Sequence, residues 1–467
     1  MTEVYRKLTE LNPITPATFC QLLSTSVNFL STLMFLLYSF LLTVIFIILS
    51  PLFLLRREKY ASGFWQRLGY LPKFEQTENP VIWLHCVSVG EAYAARPLVE
   101  EIKNQFPDYR LIVSTTTRTG QNLAREIFKD KAEVVFYFPF DWCFSVHRAL
   151  VNFQPKAILL METELWFNFI REAGKSGAFV SIINGRLSEK SFKRYSYIKT
   201  FMRRVLSRVD LALMQDNADA KRLMRLGIRG SKIKVTGNIK FDQKYEDNGL
   251  TEILRKRFAV SADAPLIVAA STHAPEERWI LEAFKRVWKN LPAKLPRLLI
   301  APRHPERFAE VTGWIKETGF NWVRRSENES ERDKTAEIIL FDSMGELRAV
   351  YPLAEIVFVG GSLIPHGGQS VLEPAVAAKA IVTGFYTMNF AAAVQEFTAK
   401  DALVQLPQTG EKYIVRKLAE VFERLLRDAE ERENLARNAF AVIEKNSGAT
   451  EKTIENLKPF LQSHKTQ

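Results

Sequence analysis

Short apolar runs alternate with helical stretches along most of the chain, and this pattern restricts the fold more than any other feature. The runs are continuous rather than alternately polar, which is typical of parallel strands covered on both faces. The pattern predicts two doubly wound, Rossmann-like α/β domains facing each other across a cleft, with ligands at the carboxyl ends of the strands. The predicted strands cover residues 81–89, 111–115, 134–138, 157–161, 179–183, 211–214, 266–270, 298–300, 338–341, 356–359, 380–382 and 403–406.

A long uncharged segment precedes the first predicted strand. No Asp, Glu, Lys or Arg occurs between Leu11 and Leu55, and residues 29–55 are long enough to span a hydrocarbon core of about 30 Å. Basic residues within 56–59 follow directly, so the positive-inside rule places the later domains on the cytoplasmic side. We therefore predict a single-pass helix in the inner (cytoplasmic) membrane. A helix lying in the membrane plane is the alternative, against which the absence of a polar face argues.

The length of the chain sets its division into domains. It has 467 residues, too many for one ordinary domain, and a polar, charged segment at residues 240–264 is predicted to be the linker. We therefore predict a membrane anchor at residues 1–58, a first Rossmann-like domain at residues 59–245 and a second at residues 246–467, which ends in helices.

Charge and cysteine usage restrict the partners. The formal net charge is +12, which favours nucleic acid, a membrane surface or a phosphorylated substrate. Three cysteines without a CxxC spacing and six scattered histidines predict neither a disulfide framework nor a metal site. Eight basic residues and one acid lie between Arg186 and Arg208, a run that suits a phosphorylated lipid or the anionic bilayer surface. A solvated face is the alternative, and no aromatic-interleaved motif favours RNA.

A glycine-rich unit occupies residues 357–384. A predicted strand ends in Gly360 and Gly361, a second glycine pair follows, and residues 370–375 open a helix of small residues. Glycines let a phosphate approach the backbone, and a helix N-terminus offers unpaired N–H groups to anions. Glu373 lies in the first turn of that helix, where it can accept hydrogen bonds from a ribose diol. The unit predicts a sugar-nucleotide site, with an ordinary glycine-rich turn as the alternative.

Three other predicted strands of the second domain also end in polar residues. The ends lie at residues 271–273, 301–307 and 343–347. Arg303 can neutralise a phosphate through two parallel hydrogen bonds. Gly345 and Glu346 open a helix and can present its N–H groups. Because parallel strands end at one edge of a sheet, these segments favour a nucleotide pocket.

Acidic residues follow two predicted strands of the first domain. Glu91 begins a helix after the first strand and is placed to act as a general base, although a first-turn Glu also stabilises a helix dipole. Glu162 and Glu164 follow a later strand; one can cap a helix while the other holds a substrate hydroxyl. Lys240 lies at the predicted domain junction and is expected to point into the cleft, with a solvated linker lysine as the alternative.

The motifs around these residues closely resemble those of the lipid A Kdo transferases, which transfer 3-deoxy-D-manno-octulosonic acid (Kdo). The resemblance extends over about two thirds of the chain, from His85 to about Phe390. The matching stretches, in order, are HCVSVGE, PLVEEI, STTTRTG, METELWFN, NGRLSEKS, VTGNIKFD, STHAPEE, APRHPERF, MGEL, FVGGSL and SVLEPA.

The resemblance implies the glycosyltransferase B fold and an inverting, membrane-bound enzyme. CMP-Kdo is the implied donor and a lipid A precursor the implied acceptor, with no cofactor and no metal. The first domain would bind the acceptor and the second the CMP-sugar. Catalytic roles are implied for Glu91 as the base and for Glu162 and Lys240 in assisting the transition state. The implied CMP-binding residues are Pro302, Arg303, Met344, Gly345, Glu346, Ser370, Val371, Leu372 and Glu373.

Gln369 and Ser370 stand where the family usually has His and Asn. The effect of that exchange, the number of Kdo residues added, the acyl pattern of the acceptor and the oligomeric state are open. Two other functions also remain. One is a membrane-associated glycosyltransferase that uses a UDP-sugar and a lipid acceptor, and the other is a non-catalytic, membrane-tethered nucleotide-binding protein. No nucleic-acid partner is expected.

Overall fold

The structure is a computed structural model that describes residues 16–55, 63–243, 249–261, 263–291 and 295–462, with side chains in the first range described for residues 32–51. The basic residues within 56–59, on which the predicted orientation rests, lie outside these ranges. The chain divides into two compact units, Met1–Ile239 with Gly448–Gln467, and Lys240–Ser447.

The first unit is built on a seven-stranded sheet with the order β3-β2-β1-β4-β5-β6-β7. All its strand pairs are parallel, and the central strands are buried on both faces, as the continuous apolar runs predict. The strands are β1 Val81–Cys86, β2 Arg110–Thr115, β3 Val134–Tyr137, β4 Ala157–Met161, β5 Phe179–Gly185, β6 Leu211–Met214 and β7 Ile233–Val235. Their helices are α1 Pro16–Leu55, α2 Phe64–Arg67, α3 Val89–Ala94, α4 Arg96–Gln105, α5 Arg118–Ile127, α6 Cys143–Phe153, α7 Phe167–Lys175, α8 Glu189–Ser196, α9 Lys199–Leu206 and α10 Asn217–Leu226.

The second unit repeats this plan with the strand order β10-β11-β9-β8-β12-β13-β14, again all parallel. The strands are β8 Leu266–Thr272, β9 Arg297–Pro302, β10 Trp322–Arg324, β11 Ile338–Leu340, β12 Ile356–Val359, β13 Ala380–Thr383 and β14 Val404–Gln405. The helices are α11 Leu250–Arg257, α12 Glu276–Asn290, α13 Phe308–Thr318, α14 Leu347–Val350, α15 Leu372–Val376, α16 Ala391–Thr398, α17 Glu411–Arg427 and α18 Ala429–Asn446.

The last helix, α19 (Ala449–Gln462), corrects the predicted division of the chain. Residues 246–467 were assigned to the second domain, but α19 belongs to the first unit. Its apolar side chains Leu457 and Leu461 are buried in the core beside β1 and α4. The hydroxyl of Tyr109 donates to the carbonyl oxygen of Leu461 at 2.8 Å. The chain therefore returns to the first unit after it completes the second.

The predicted linker at residues 240–264 is also corrected, because it contains α11. Leu254 of this helix is fully buried in the second core, and the hydroxyl of Thr251 donates to the carbonyl oxygen of Ala349 at 2.9 Å. Glu252 and Arg255 pair with each other on its outer face, whereas its last residue, Arg257, is buried. A short amphipathic helix can thus be mistaken for a linker when only its composition is considered.

The uncharged N-terminal segment forms one long helix, α1, whose residues Thr32–Pro51 have a mean hydropathy of 2.6. By length and composition this part of α1 could cross a membrane. The same part also packs against the first unit. Phe35 is 5 % exposed and belongs to that unit's core, where its ring contacts Phe201 with the centroids 4.9 Å apart. The helix is therefore not a free tether.

A buried ion pair braces a loop of the second unit. Nε of Arg257 lies 2.6 Å from Oδ2 of Asp333, and both side chains are almost fully buried. The same guanidinium donates to the carbonyl oxygens of Arg324, Arg325 and Glu327. A buried guanidinium is favourable only when it is paired, so the pair holds the chain that follows β10.

Replacing Asp333 with Ala should destabilise the second unit by about 3–5 kcal/mol, because the Arg257 charge would stay buried without its carboxylate. Thermal unfolding of the detergent-solubilised protein measures this. Lys334→Ala is the matched control, since Lys334 is an exposed neighbour whose pair with Glu331 lies in solvent. Equal melting temperatures for the two variants would contradict the bracing role.

Candidate active site

The two central strands of the first sheet, β1 and β4, define its switch point. They are neighbours, and from them the chain continues to opposite sides of the sheet. Doubly wound folds bind ligands beside the carboxyl ends of such strands. Glu91 follows β1 and Glu162 follows β4, so the structure brings these two predicted catalytic residues to one place.

Glu91 is held by its own turn. Ser88 caps α3, and the Glu91 carboxylate accepts hydrogen bonds from the backbone N–H of Val87 at 2.8 Å and from the hydroxyl of Ser88 at 3.0 Å. Burial raises the pKa of Glu91 to about 7, the Val87 N–H opposes this, and the charge of Glu162 adds to it. A carboxyl group with that pKa is half ionised near neutral pH, which suits a general base.

The segment after β4 has an unusual backbone. Glu162 has φ = 54°, a conformation that non-glycine residues rarely adopt, and its N–H donates to the carbonyl oxygen of Ile183 at 2.9 Å. Burial, together with the charge of Glu162, raises the pKa of Glu164. Strained conformations of this kind persist where neighbouring structure enforces them and often mark functional sites.

Helix α7 begins directly after this segment, so the start of the helix determines where the segment ends. The carboxylate of Asp141 accepts the backbone N–H groups of Asn168 and Phe169 at 3.1 and 2.7 Å. These N–H groups belong to the first turn of α7 and have no partner within the helix. Burial raises the pKa of Asp141 to about 7 against the opposing effect of these hydrogen bonds and of the Tyr38 hydroxyl.

Lys240, the third predicted catalytic residue, lies in the short 3₁₀ helix Ile239–Asp242 and is half-buried. It is the first residue of the second unit. Ile239, just before it, donates its N–H to the side-chain oxygen of Asn184 at 3.1 Å. The start of this turn is thus attached to the end of β5.

The switch point of the second sheet lies between β8 and β12 and is organised by a carboxylate. The side chain of Glu276 is fully buried. It accepts backbone N–H groups from Gly361 at 2.6 Å, Ser362 at 2.9 Å, Leu363 at 2.8 Å and His273 at 3.0 Å. Burial raises the pKa of Glu276 to about 7, while the N–H donors oppose that shift. The glycine-rich loop after β12 is therefore shaped by Glu276.

Histidine rings lie beside this loop. The ring of His273 lies 4.0 Å from that of His366 and 5.3 Å from that of His304, between centroids. Burial, and then the neighbouring His366 and His304, lower the pKa of His273 to about 4, so its ring is neutral at physiological pH. The exposed Arg303 also contributes to this shift, and its backbone N–H donates to the carbonyl oxygen of Thr272 at 3.0 Å. The neutral His273 ring and the exposed Arg303 guanidinium are therefore groups that an anion could contact beside this loop.

Glu373, predicted to bind ribose, already has protein partners. Nη2 of Arg348 lies 3.0 Å from Oε1 of Glu373, and the Tyr351 hydroxyl lies 3.5 Å from Oε2. Burial, followed by the charge of Glu373, raises the pKa of Tyr351. Since each carboxylate oxygen has two lone pairs, Glu373 can still accept a hydrogen bond from a ligand hydroxyl.

The remaining predicted nucleotide residues differ in their contacts and in their exposure. Glu346 accepts hydrogen bonds from Arg325 at 3.0 and 3.1 Å and from the Ser343 hydroxyl at 2.7 Å, and Gly345 has φ = 82°. The side chain of Met344 is 61 % exposed, and the hydroxyl of Ser370 accepts the N–H of Leu372. The buried members of the predicted set are Pro302, Val371 and Leu372. The predicted set thus combines exposed, half-buried and buried residues, and the roles of its members stay predictions.

Sequence reasoning missed the groups that hold the site together. They are Glu276, Glu277, Arg307, Arg348 and Tyr351. Glu277 is fully buried, accepts from the Thr272 hydroxyl at 2.9 Å and pairs with Arg307 at 2.5 Å. The stretches STHAPEE and APRHPERF contain Glu276, Glu277 and Arg307, but a sequence does not tell a buried acid from an exposed one.

No group of three or more His, Cys, Asp or Glu side chains in the described ranges has the arrangement of a metal site. Whether the reaction needs a metal or another cofactor stays a prediction from the sequence.

The architecture is that of the glycosyltransferase B class. A UDP-GlcNAc 2-epimerase from Neisseria meningitidis superposes with a TM-score of 0.56, covering 81 % of this chain and 100 % of that one at 14 % identity. A glycosyltransferase from Rickettsia africae superposes with a TM-score of 0.53, covering 84 % and 100 % at 12 % identity. At these identities the likeness concerns the fold, and it confirms the predicted fold class.

The family follows from closer relatives. The model of the 3-deoxy-D-manno-octulosonic-acid transferase (kdotransferase) family matches residues 62–243. The 3-deoxy-D-manno-octulosonic acid transferase of Haemophilus influenzae is 34 % identical over 432 residues, which cover 91 % of this chain and 99 % of that protein. That of Bordetella pertussis is 28 % identical, covering 88 % and 97 %. The chain belongs to the Kdo transferase family and is a glycosyltransferase, as predicted.

The stability of the folded protein should depend on the ionisation of Glu91. Its folded pKa lies above the ordinary value, so the charged form is disfavoured in the fold, and stability is lost as pH rises from about 4.5 to about 7. Glu91→Gln keeps the shape without the charge. We expect this variant to be more stable than the native protein by about 3 kcal/mol at pH 8, since one pKa unit corresponds to ~1.4 kcal/mol, and to match it closely near pH 4.5.

Thermal unfolding in detergent at several pH values tests this. Glu126→Gln, an exposed acid on α5, should show no such trend. A stabilisation by Glu91→Gln that did not vary with pH would contradict the buried-charge account.

Proposed function

We propose that this Kdo transferase moves Kdo from CMP-Kdo onto a primary hydroxyl of a lipid A precursor, with inversion at the anomeric carbon. The first unit binds the acceptor and the second unit binds CMP-Kdo. The observation that carries the proposal is the Glu91 carboxylate, buried at the switch point of the first sheet with its pKa raised to about 7. It is poised to take up one proton at neutral pH.

The reaction is a single displacement. The acceptor oxygen attacks the anomeric carbon of Kdo and forms the new C–O bond, while Glu91 accepts the hydroxyl proton. The bond from the anomeric carbon to the phosphate oxygen breaks, and CMP leaves with the electron pair. Arg303 and the N–H groups near Gly345 stabilise the charge that develops on the phosphate, and Glu162 and Lys240 assist the transition state.

Donor binding rests on the residues that the loops of the second unit present. Arg303 contacts the phosphate and Glu373 the ribose. The exposure of Arg303 supports this, because its guanidinium is accessible to a phosphate at the carboxyl end of β9. No metal is needed in this scheme, since the positive charge on the phosphate comes from protein groups.

We also propose that the protein is attached to the cytoplasmic face of the inner membrane, where its acceptor lies. The apolar segment Thr32–Pro51 supports attachment. The basic run between Arg186 and Arg208 supports contact with anionic lipid, since Lys193, Arg194 and Lys199 are exposed. Whether α1 crosses the bilayer once, as predicted from the sequence, is a separate question.

The direct test of the function incubates purified protein with CMP-Kdo and a tetraacyl lipid A precursor in detergent and detects the product by mass spectrometry. We expect a Kdo adduct and free CMP, in EDTA as well as in its absence. Turnover of UDP-sugars instead of CMP-Kdo would overturn the donor assignment. Loss of turnover in EDTA with recovery in Mg²⁺ would overturn the metal-free scheme.

Glu91→Gln should lower kcat by at least ~10²-fold, because no base would accept the acceptor proton. In the native protein, kcat/KM should rise with pH to a plateau above pH 7, where Glu91 is ionised. CMP affinity should not change, because the nucleotide binds the second unit. Glu126→Gln is the control, and near-normal turnover by folded Glu91→Gln would exclude Glu91 as the base.

Glu276→Gln should weaken CMP binding by about tenfold or more, although Glu276 lies below the proposed site. A carboxylate accepts only, whereas an amide NH₂ group would face the N–H groups of residues 361–363 and leave some of them unpaired. Calorimetry measures the affinity, with Glu282→Gln on the exposed face of α12 as the control. Unchanged CMP affinity in a folded variant would show that the loop does not bind the nucleotide.

A further inference from the structure

Helix α1 has two chemically similar faces with different surroundings. One face is an apolar stripe whose side chains recur every three or four residues, so they line one side of the helix. Each of its members is 50–69 % exposed, and no charged residue interrupts it. The stripe consists of Leu33, Leu36, Leu37, Phe40, Leu41, Ile45, Ile47 and Ile48.

The opposite face of α1 is attached to the first unit by specific contacts. The hydroxyl of Tyr38 donates to Oδ2 of Asp141 at 2.8 Å, and the side chain of Asn168 donates to the hydroxyl of Ser39 at 3.0 Å. The indole N–H of Trp142 donates to the hydroxyl of Thr43 at 3.0 Å. These donors and acceptors satisfy polar groups that hydrocarbon would leave without partners.

Ring contacts extend this attached face at both ends. Phe35 contacts Phe201, and Phe46 contacts Phe140 with the centroids 5.4 Å apart. Residues 34–46 cover about 18 Å of helix, at 1.5 Å per residue. The attachment therefore runs along most of the segment Thr32–Pro51, the most apolar part of α1.

Charged groups of the first unit lie directly beside this segment. Nη1 of Arg204 lies 3.2 Å from the sulfur of Met34, and the guanidinium of Arg171 lies 4.5 Å from the ring centre of Phe35. If α1 crossed the bilayer along its normal, a hydrocarbon core of about 30 Å would have to enclose these arginines and the helices that carry them. Enclosing charged side chains in hydrocarbon is costly, and the cost grows toward the centre of the bilayer.

We infer that α1 lies in the plane of the membrane, with the apolar stripe in one leaflet and the first unit covering its opposite face. This inference rests on the membrane attachment proposed above and goes beyond it. A helix in the membrane plane normally needs a polar face toward water. In this chain the first unit, rather than water, covers the face of α1 that points away from the bilayer. The absence of a polar face on α1 is therefore compatible with a helix in the membrane plane and no longer favours a helix that crosses the bilayer.

The depth of two stripe residues tests the orientation. Leu37 and Ile48 lie on the same side of α1, eleven residues apart, which is about 16 Å along the axis. We would introduce Leu37→Cys and Ile48→Cys separately, with Cys20, Cys86 and Cys143 replaced by Ala, and attach an environment-sensitive fluorophore. The full chain would be reconstituted in vesicles of phosphatidylethanolamine and phosphatidylglycerol that contain spin-labelled lipids as depth-resolved quenchers.

In the membrane plane the two labels should lie at equal depth, to within a few ångströms, near the boundary of headgroups and acyl chains. Depths that differ by about 16 Å along the bilayer normal would overturn the inference. Labels that lipid does not quench would also overturn it, because the stripe would then lie outside the bilayer. Kdo turnover in detergent, measured on the same samples, reports separately on the proposed function and on the folding of the variants.

A second measurement needs no substitution. With one epitope tag before Met1 and another after Gln467, protease is added to intact spheroplasts and to inverted membrane vesicles of a bacterial host. An in-plane helix keeps both ends on the cytoplasmic side, so both tags should be protected in spheroplasts and cleaved in inverted vesicles. Cleavage of the N-terminal tag in intact spheroplasts, with the C-terminal tag protected, would demonstrate a crossing helix.

The full chain is required for these experiments. Removing residues 1–55 would expose the ring of Phe201 and leave the Asp141 carboxylate without the Tyr38 hydroxyl. A truncated protein would then bind or leave membranes for reasons unrelated to the orientation of α1.

Discussion

Buried carboxylates that accept backbone N–H groups hold the ends of both parallel sheets, and the site depends on them. Loops at the carboxyl ends of strands leave N–H groups that no strand satisfies. Glu276 accepts four such groups around β8 and β12, Asp141 accepts two at the start of α7, and Glu91 accepts one from Val87. Burial raises the pKa of each to about 7. The loops at the ends of both sheets are thus ordered by carboxyl groups whose ionisation is costly because they are buried.

The same arrangement distinguishes Glu276 from Glu91, the acid that we propose as the base. Glu276 is fully enclosed and surrounded by donors, so it has no free direction from which to take a proton. Glu91 has fewer donors, retains slight exposure and lies in the field of Glu162. Two acids with similar pKa values can therefore serve different purposes, and we propose the base role only for Glu91, which retains some exposure.

The sequence predicted the parts of the fold that depend on local patterns. Continuous apolar runs identify β1 and β8 as parallel strands, and their polar ends identify Glu91 and His273 as neighbours of a site. The sequence could not tell which surface an amphipathic helix covers. Helix α19 shows the same kind of apolar face as α17, yet it packs on the first unit. The role of Glu276 was hidden for a related reason, since three of its four partners lie 85 to 87 positions away along the chain.

Hydropathy depends only on the type of each side chain, whereas the attachment of a helix to a domain depends on the residues that its side chains contact. In α1 the attached and exposed faces are both largely apolar, so the contacts with the first unit, such as the hydrogen bonds of Tyr38, Ser39 and Thr43, separate them. One of these contacts reaches Asp141, whose carboxylate also caps α7, directly after the segment that contains Glu162. A single buried acid therefore joins the helix that we place in the membrane to the acidic segment of the candidate active site. If the acceptor is a lipid, the bilayer determines the depth at which its hydroxyl lies. The contact through Asp141 in turn determines how far the switch point of the first sheet lies from the same bilayer.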